Sequence, residues 1–190
     1  SYDRTCAENL SRQFDLNLRK KYKTLSRGYE SILRIVLGLA TKAAITIFDE
    51  PVLGLDAAVR DLFYQVLIKE YSEYPRTFIL STHLIDESAD IFEDVIILKA
   101  GQIIVCEPAE QLRQNACHLS GRADDAEKFI REQQLKIISR EGFGNLASYG
   151  IRGNLDAGQR SLAASAGLDL TPVSLQKLFI YLTESEERQG

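Results

Sequence analysis

The 190-residue chain has no methionine, no tryptophan, four prolines and three cysteines. Without methionine there is no initiator, and "SYDRTC" opens the chain charged and without a strand, so it reads as a piece of a longer protein. Cys6, Cys106 and Cys117 are odd in number and form no CxxC pair, which argues against a disulfide framework or zinc site and for a reducing compartment. Fully apolar runs are short, "AAITIF" among them, and none approaches the roughly 20 residues that span a bilayer. No signal-peptide pattern opens the chain, so any link to a membrane is expected to run through a partner. The net charge of −4, from 23 basic and 27 acidic residues, gives no basic surface for nucleic acid, and no nucleic-acid partner is expected. Also missing is GxxxxGK[ST], the glycine-rich loop whose backbone amides cradle phosphates.

What is present suits one domain, or one with a small appendage: 45% of residues are hydrophobic and 26% charged. Residues 8–18 have loose helical spacing at Leu10, Phe14 and Leu18, and a solvated basic connector follows at Arg19, Lys20, Lys21 and Lys23. Ser26 can cap the next helix, with Glu30 in its first turns. That helix carries Ile32, Leu33, Ile35, Val36, Leu37 and Leu39 on most sides, the pattern of a buried helix. "AAITIF" predicts a buried strand, 57–72 a helix capped by Asp56, and "TFILS" (77–81) a second buried strand. "HLIDESADIF" predicts a short helix, and "DVIILK" and "IIVC" a hairpin turning at "AGQ". Apolar strands alternating with helices imply a parallel sheet covered on both faces.

The character changes near residue 114. "ACHLS" predicts a strand and 123–133 a helix with Ala126, Phe129 and Ile130 inward. "LKIISREGFGNLASYGIR" predicts two strands around a glycine turn, and 156–166 and 174–183 predict helices. Residues 114–190 are therefore expected to form a small α+β appendage, with Glu184, Glu186 and Glu187 a solvated tail.

Ligands of an open parallel sheet bind off the carboxyl ends of its strands. Asp49 and Glu50 end the first strand, Thr82 and His83 follow the second, and Asp56 begins the intervening helix. Neighbouring strands lie about 4.8 Å apart, so these groups can converge. The set suits metal-assisted phosphoryl transfer. One carboxylate supports magnesium through its waters, a second polarises an attacking water, and a histidine donates to the charge that builds up. The bland alternatives are a strand end before proline for the acid pair, an N-cap for Asp56 and a satisfied structural histidine for His83. Taken singly each holds its own; on one edge and in this order the functional reading is favoured.

"LSRGY" (Leu25–Tyr29), a long helix, "ITIFDEP" (45–51), "GLD" (Gly54–Asp56) and "STH" (Ser81–His83) resemble the ATP-binding cassette (ABC) ATPases in order and spacing. "LKAGQIIVCEPAEQL" is similar to that family's usual ending, so the likeness covers roughly residues 8–113. The resemblance implies an α/β fold, part of a P-loop NTPase-like parallel sheet with flanking helices, at 1–113; the small accessory α+β domain at 114–190 is read from the residues alone. It implies that Asp49 is the Walker B acid on Mg2+, Glu50 the catalytic base, and His83 the switch histidine on the γ-phosphate of ATP. It places Asp56 at the D-loop on the dimer seam. Leu25, Ser26, Arg27, Gly28 and Tyr29 match the signature loop, which meets ATP held by a second ATPase subunit, identical or not. Serine, glycine and a helix N-terminus also favour an anion on physical grounds. Arg27 replaces the signature's glycine and Tyr29 its glutamine. Neither change removes Ser26 or Gly28.

The family's phosphate loop lies upstream of the signature, so the resemblance makes this chain the C-terminal part of an ATPase subunit of an ABC transporter. It would be peripheral on the cytoplasmic face of a cell membrane and partnered by a transmembrane permease. One rival is an ATPase of the SMC type, acting in DNA repair or chromosome structure. It would place a long coiled coil before the signature, and residues 1–24 show no sustained heptad. The other rival is a non-catalytic ATP clamp, against which Glu50 and His83 both argue. "GFGNLA" (Gly142–Ala147) fits a dinucleotide fingerprint on paper, but it lies between two apparent strands and is expected to be a hairpin turn. His118 lacks clustered ligands and is expected to be structural or on the surface.

Overall fold

The computed structural model describes residues 2–184, which divide into two compact units, the first ending at Leu84 and the second beginning at Ile85. Glu186 and Glu187 of the expected solvated tail lie outside the described residues.

The first unit contains α1 (Arg4–Gln13), α2 (Arg27–Ala40), β1 (Ile45–Asp49), α3 (Ala57–Glu73) and β2 (Thr77–Ser81). Helix α1 starts before the expected residue 8, because the Asp3 side chain accepts from the Cys6 amide and caps it there. Strands β1 and β2 pair in parallel and in register from Ile45↔Thr77 to Asp49↔Ser81. The α3 crossover between them makes that pairing possible. Thr46 and Phe48 point into the core, where the Phe48 ring meets Phe63 of α3 edge-on at 5.7 Å. The same ring explains Gly38 in the middle of α2: a Cβ there would lie 2.6 Å from Phe48 Cε1.

Two expectations are corrected in this unit. The sheet is not covered on both faces: Ile45 (60% exposed), Ile47 (67%) and Ile79 (47%) are open. Apolar runs reveal that a strand can be buried, but not whether both faces have neighbours. Helix α2 is likewise not buried all round. Ile32, Ile35, Val36 and Leu39 are buried, while Leu37 is exposed.

Glu70 of α3 is a buried carboxylate, held by Lys42 Nζ at 2.6 Å and Arg76 Nη2 at 3.3 Å. Cys6 Sγ lies 3.6 Å from its Oε1. Burial alone would push the Lys42 ammonium down, but the hydrogen bond and charge of Glu70 outweigh it and hold it above its ordinary value.

The second unit opens with the short helix α4 (Ile85–Ser88), a 3-10 turn (Ala89–Ile91) and the hairpin β3 (Asp94–Lys99) and β4 (Gln102–Pro108). The hairpin turns at Ala100 and Gly101, both at positive φ, as a tight two-residue turn requires. After α5 (Ala109–Gln114) come β5 (Ala116–Arg122), α6 (Ala123–Glu132), β6 (Lys136–Phe143), β7 (Leu146–Arg152), α7 (Ala157–Ser165) and β8 (Asp169–Pro172). Their antiparallel sheet has the order β6-β7-β5-β8. A β-α-β-β-α-β chain with this strand order is the ferredoxin-like arrangement. Leu119, Ala126, Phe129, Tyr149, Ile151 and Ala163 form the core on one face of this sheet. Helix α8 (Leu175–Glu184) contributes Leu175, Leu178 and Tyr181 to a second core that includes Ile97, Val105, Leu112 and Ala116. "GFGNLA" is the turn between β6 and β7 as expected, with Gly144 at φ 60°.

Candidate functional site

All the candidate site residues lie within Ser1–Leu84. The Glu50 amide donates to the Ser81 carbonyl at 2.8 Å, carrying the β1–β2 ladder one residue past the strand. Glu50 then takes φ 45°, a left-handed conformation that costs a residue with a Cβ about 1–3 kcal/mol. Its carboxylate is met by groups following β2. Oε1 accepts from the His83 amide at 3.1 Å and lies 2.7 Å from His83 Nδ1; Thr82 Oγ1 lies 3.5 Å from Oε2. An ionised carboxylate only accepts, so the proton in the short contact sits on Nδ1. The other ring nitrogen, Nε2, is then the one left for a ligand. His83 is exposed while Glu50 is half-buried, so the pair presents an imidazole edge to solvent from an anchored carboxylate.

Asp49 ends β1 on the face of Ile45 and Ile47, since side chains alternate along a strand. It lines a recess of about 280 Å³ with Ser31, Arg34, Ile47, Glu50 and Pro51, among others. Among the described residues no group of three metal-binding side chains occurs, so no all-protein cage is present. One exposed carboxylate beside a recess is the donor set that suits a magnesium ion keeping most of its waters and phosphate ligands.

The segment Leu25–Tyr29 enters α2. Ser26 is its N-cap, accepting from the Tyr29 amide at 3.4 Å, and Arg27 is exposed at the first helical position. Gly28 is close-packed: a Cβ there would stand 3.2 Å from the Gly54 carbonyl oxygen and 3.7 Å from Leu55 Cδ2. Ser31 Oγ donates to the Leu53 carbonyl at 3.4 Å. The start of α2 and the 53–55 turn are thus one packed feature, and Gly54 takes φ 82° within that turn. Lys20 Nζ lies 5.6 Å from the Tyr29 ring centroid. Asp56 caps α3, accepting from the Val59 amide at 3.0 Å, which is the bland role weighed for it.

The structure therefore joins Glu50 to Thr82 and His83, seats Asp49 at the same strand end, and packs Gly28 on Gly54. Sequence reasoning passed over Arg34 and Ser31. Arg34 left a signal, being the one charged residue between Ile32 and Ala40. His118 belongs to the second unit and takes no part; it is buried on β5 against the edge of the Tyr181 ring at 5.8 Å.

No protein-family model matches the chain. It is 25% identical over 142 residues to the ABC transporter ATP-binding protein YtrB of Bacillus subtilis, covering 74% of this chain and 49% of that one. A second B. subtilis ABC transporter ATP-binding protein, YcbN, is 32% identical over 128 residues, covering 64% and 40%. The energy-coupling factor transporter ATP-binding protein EcfA2 of Enterococcus faecalis is 29% identical over 113 residues, covering 56% and 39%. The chain thus spans less than half the length of these three relatives. A solved structure described as a cobalt transport ATP-binding protein shares the fold, with a TM-score of 0.55, 21% identity, and 95% of this chain and 60% of that one covered. No helix among the described residues is long and apolar enough to cross a membrane.

Proposed function

From the premise that its relatives are ATP-binding proteins of ABC transporters, we propose that this chain carries the signature, Walker B and switch-histidine parts of an ATPase that powers a transmembrane permease. Hydrolysis would occur at sites shared with a second ATPase subunit. The observation that carries the reading is the grip of Glu50 by Thr82 and His83 at the end of β1 and β2.

The mechanism follows from that grip. Oε1 is committed to two donors of His83, whereas Oε2 has only the long Thr82 contact. Oε2 is therefore the oxygen able to take a proton from water. As that proton leaves, the water oxygen bonds to the γ-phosphorus and the bond to the bridging oxygen of ADP breaks. His83 donates to the transferred group through Nε2. Nδ1 is turned to Glu50, so Nε2 is the ring atom left to face that group. Asp49 would hold magnesium through water, and the ion would neutralise charge on the β- and γ-phosphates.

Ser26, Arg27 and the amides at the start of α2 would face the γ-phosphate held by the second subunit, with Leu25 and Tyr29 shaping the loop around them. Asp56 would lie at the seam with that subunit. These residues contain no phosphate loop, so the phosphates would be cradled by a segment outside them. The subunit would sit at the inner face of the membrane. Residues 114–190 are read as an accessory module.

Glu50→Gln is the test, made in a protein that joins these residues to a phosphate loop. ATP binding should persist while turnover falls by about a hundredfold or more. Turnover near the unsubstituted rate would refute the assignment.

A further inference from the structure

The connector Asn17–Thr24, between α1 and α2, takes no part in the proposed hydrolysis, and every one of its residues is exposed. It carries Arg19, Lys20, Lys21 and Lys23, and from Leu16 to Tyr29 the sequence holds no aspartate or glutamate. The chain as a whole is acidic, at −4, so the connector is a positive island in it. Among the described residues none of these four cations forms an ion pair. Arg4, Arg34, Lys42, Lys69 and Arg76 of the same unit each meet a glutamate.

Two successive turns shape the island. Leu16 is buried and anchors its start. The Asn17 side chain accepts from the Arg19 amide at 3.0 Å, and the Asn17 carbonyl accepts from the Lys20 amide at 3.2 Å. The Lys21 carbonyl then accepts from the Thr24 amide at 2.9 Å and the Thr24 hydroxyl at 2.8 Å, around the 3-10 turn Tyr22–Thr24. The backbone thus bonds to itself and leaves the side chains outward. Among the cations stand two large apolar groups, Leu18 (59% exposed) and Tyr22 (51%).

We propose that Leu18–Lys23 is a membrane-surface contact that takes the headgroups of anionic phospholipids. Lysine and arginine would reach the phosphates and carboxylates of the headgroups, while Leu18 and the amphipathic Tyr22 ring enter the boundary beneath them. An acidic protein surface would answer the four cations but give Leu18 and Tyr22 no apolar partner; an anionic bilayer answers both. Each cation close to such a bilayer strengthens partition about fivefold, and salt weakens the attraction. The choice of the cytoplasmic leaflet rests on the proposed function, but the lipid chemistry does not.

The test is co-sedimentation of this chain with vesicles of phosphatidylcholine, alone or mixed with phosphatidylserine. The chain should bind the mixed vesicles, bind pure phosphatidylcholine far more weakly, and be released as salt is raised. Combined Arg19→Gln, Lys21→Gln and Lys23→Gln should weaken binding to mixed vesicles about a hundredfold. That variant spares Lys20, whose Nζ lies 5.6 Å from the Tyr29 ring centroid. All three positions are exposed, so the unfolding midpoint should stay unchanged. Leu18→Ser with Tyr22→Ser should weaken binding several-fold and leave its salt dependence in place. Equal binding to both vesicles, or full binding by the triple glutamine variant, would overturn the lipid contact. Full binding by the Leu18 and Tyr22 variant would overturn entry into the bilayer and favour an acidic protein partner. Loss of vesicle binding would leave the hydrolytic reading intact, and a parent protein that hydrolyses no ATP would leave the vesicle result standing.

Discussion

His83 Nδ1 lies 2.7 Å from Glu50 Oε1, and the amide of the same histidine donates to the same oxygen at 3.1 Å. A residue just after one strand is thereby tied twice to a residue just after its parallel neighbour. The left-handed backbone at Glu50 aims the carboxylate there, and these contacts offset its strain. The proposed base and the proposed phosphate-facing histidine are thus a hydrogen-bonded pair.

The first prediction concerns the packing beneath that pair. In Gly38→Ala the new Cβ would meet the Phe48 ring at 2.6 Å and 2.9 Å. Alanine favours helix by about 1 kcal/mol, but overpacking a core costs about 1–3 kcal/mol. The melting temperature should therefore fall, and in a protein that joins these residues to a phosphate loop the proposed turnover should fall with it, since Phe48 of β1 lies two residues before Glu50.

The second concerns Glu70. Truncation to alanine leaves Lys42 and Arg76 without their shared buried carboxylate, and breaking such a cluster costs about 3–5 kcal/mol. Urea unfolding should register that loss as a lower midpoint. A change below about 1 kcal/mol would show that the two cations find water instead.

The third concerns His118. Burial, followed by the Lys177 charge from α8, lowers its pKa, while Glu141 of β6 opposes them weakly. Its Nε2 is buried with no hydrogen-bond partner among the described residues, and Tyr181 covers the ring. The folded state thus favours the neutral ring. As pH falls below about 6.5 the unfolded chain takes up the proton first, so this contribution to stability, full above that pH, is lost as pH falls through the folded value. His118→Phe should flatten the fall of the unfolding midpoint as pH drops below about 6.5.

Much of this was legible in the sequence. The order β1, α3, β2 follows from two apolar runs around an amphipathic segment, and Asp56 and Ser26 mark their helix starts as caps. The hairpin turn follows from "AGQ". The strand ends carry the polar residues, so Asp49, Glu50, Thr82 and His83 could be placed on one edge. Three features were hidden for physical reasons. Strand β8 has four residues ending in Pro172, too short for a period and tolerable for proline only at an edge, so the ferredoxin-like topology could not be closed. The open face of Ile45, Ile47 and Ile79 depends on neighbours that no local pattern encodes. The Glu50–His83 contact depends on a positive φ at a glutamate, which sequence gives no reason to expect.

The central claim is that Glu50 and His83 act as one unit, and a double-mutant cycle in single-turnover ATP hydrolysis, made in a protein that joins these residues to a phosphate loop, tests it most directly. Glu50→Gln and His83→Ala should each slow the chemical step by about a hundredfold or more, and the double variant should be little slower than either alone. Additive losses, with the double variant slowed by the product of the single effects, would contradict the account.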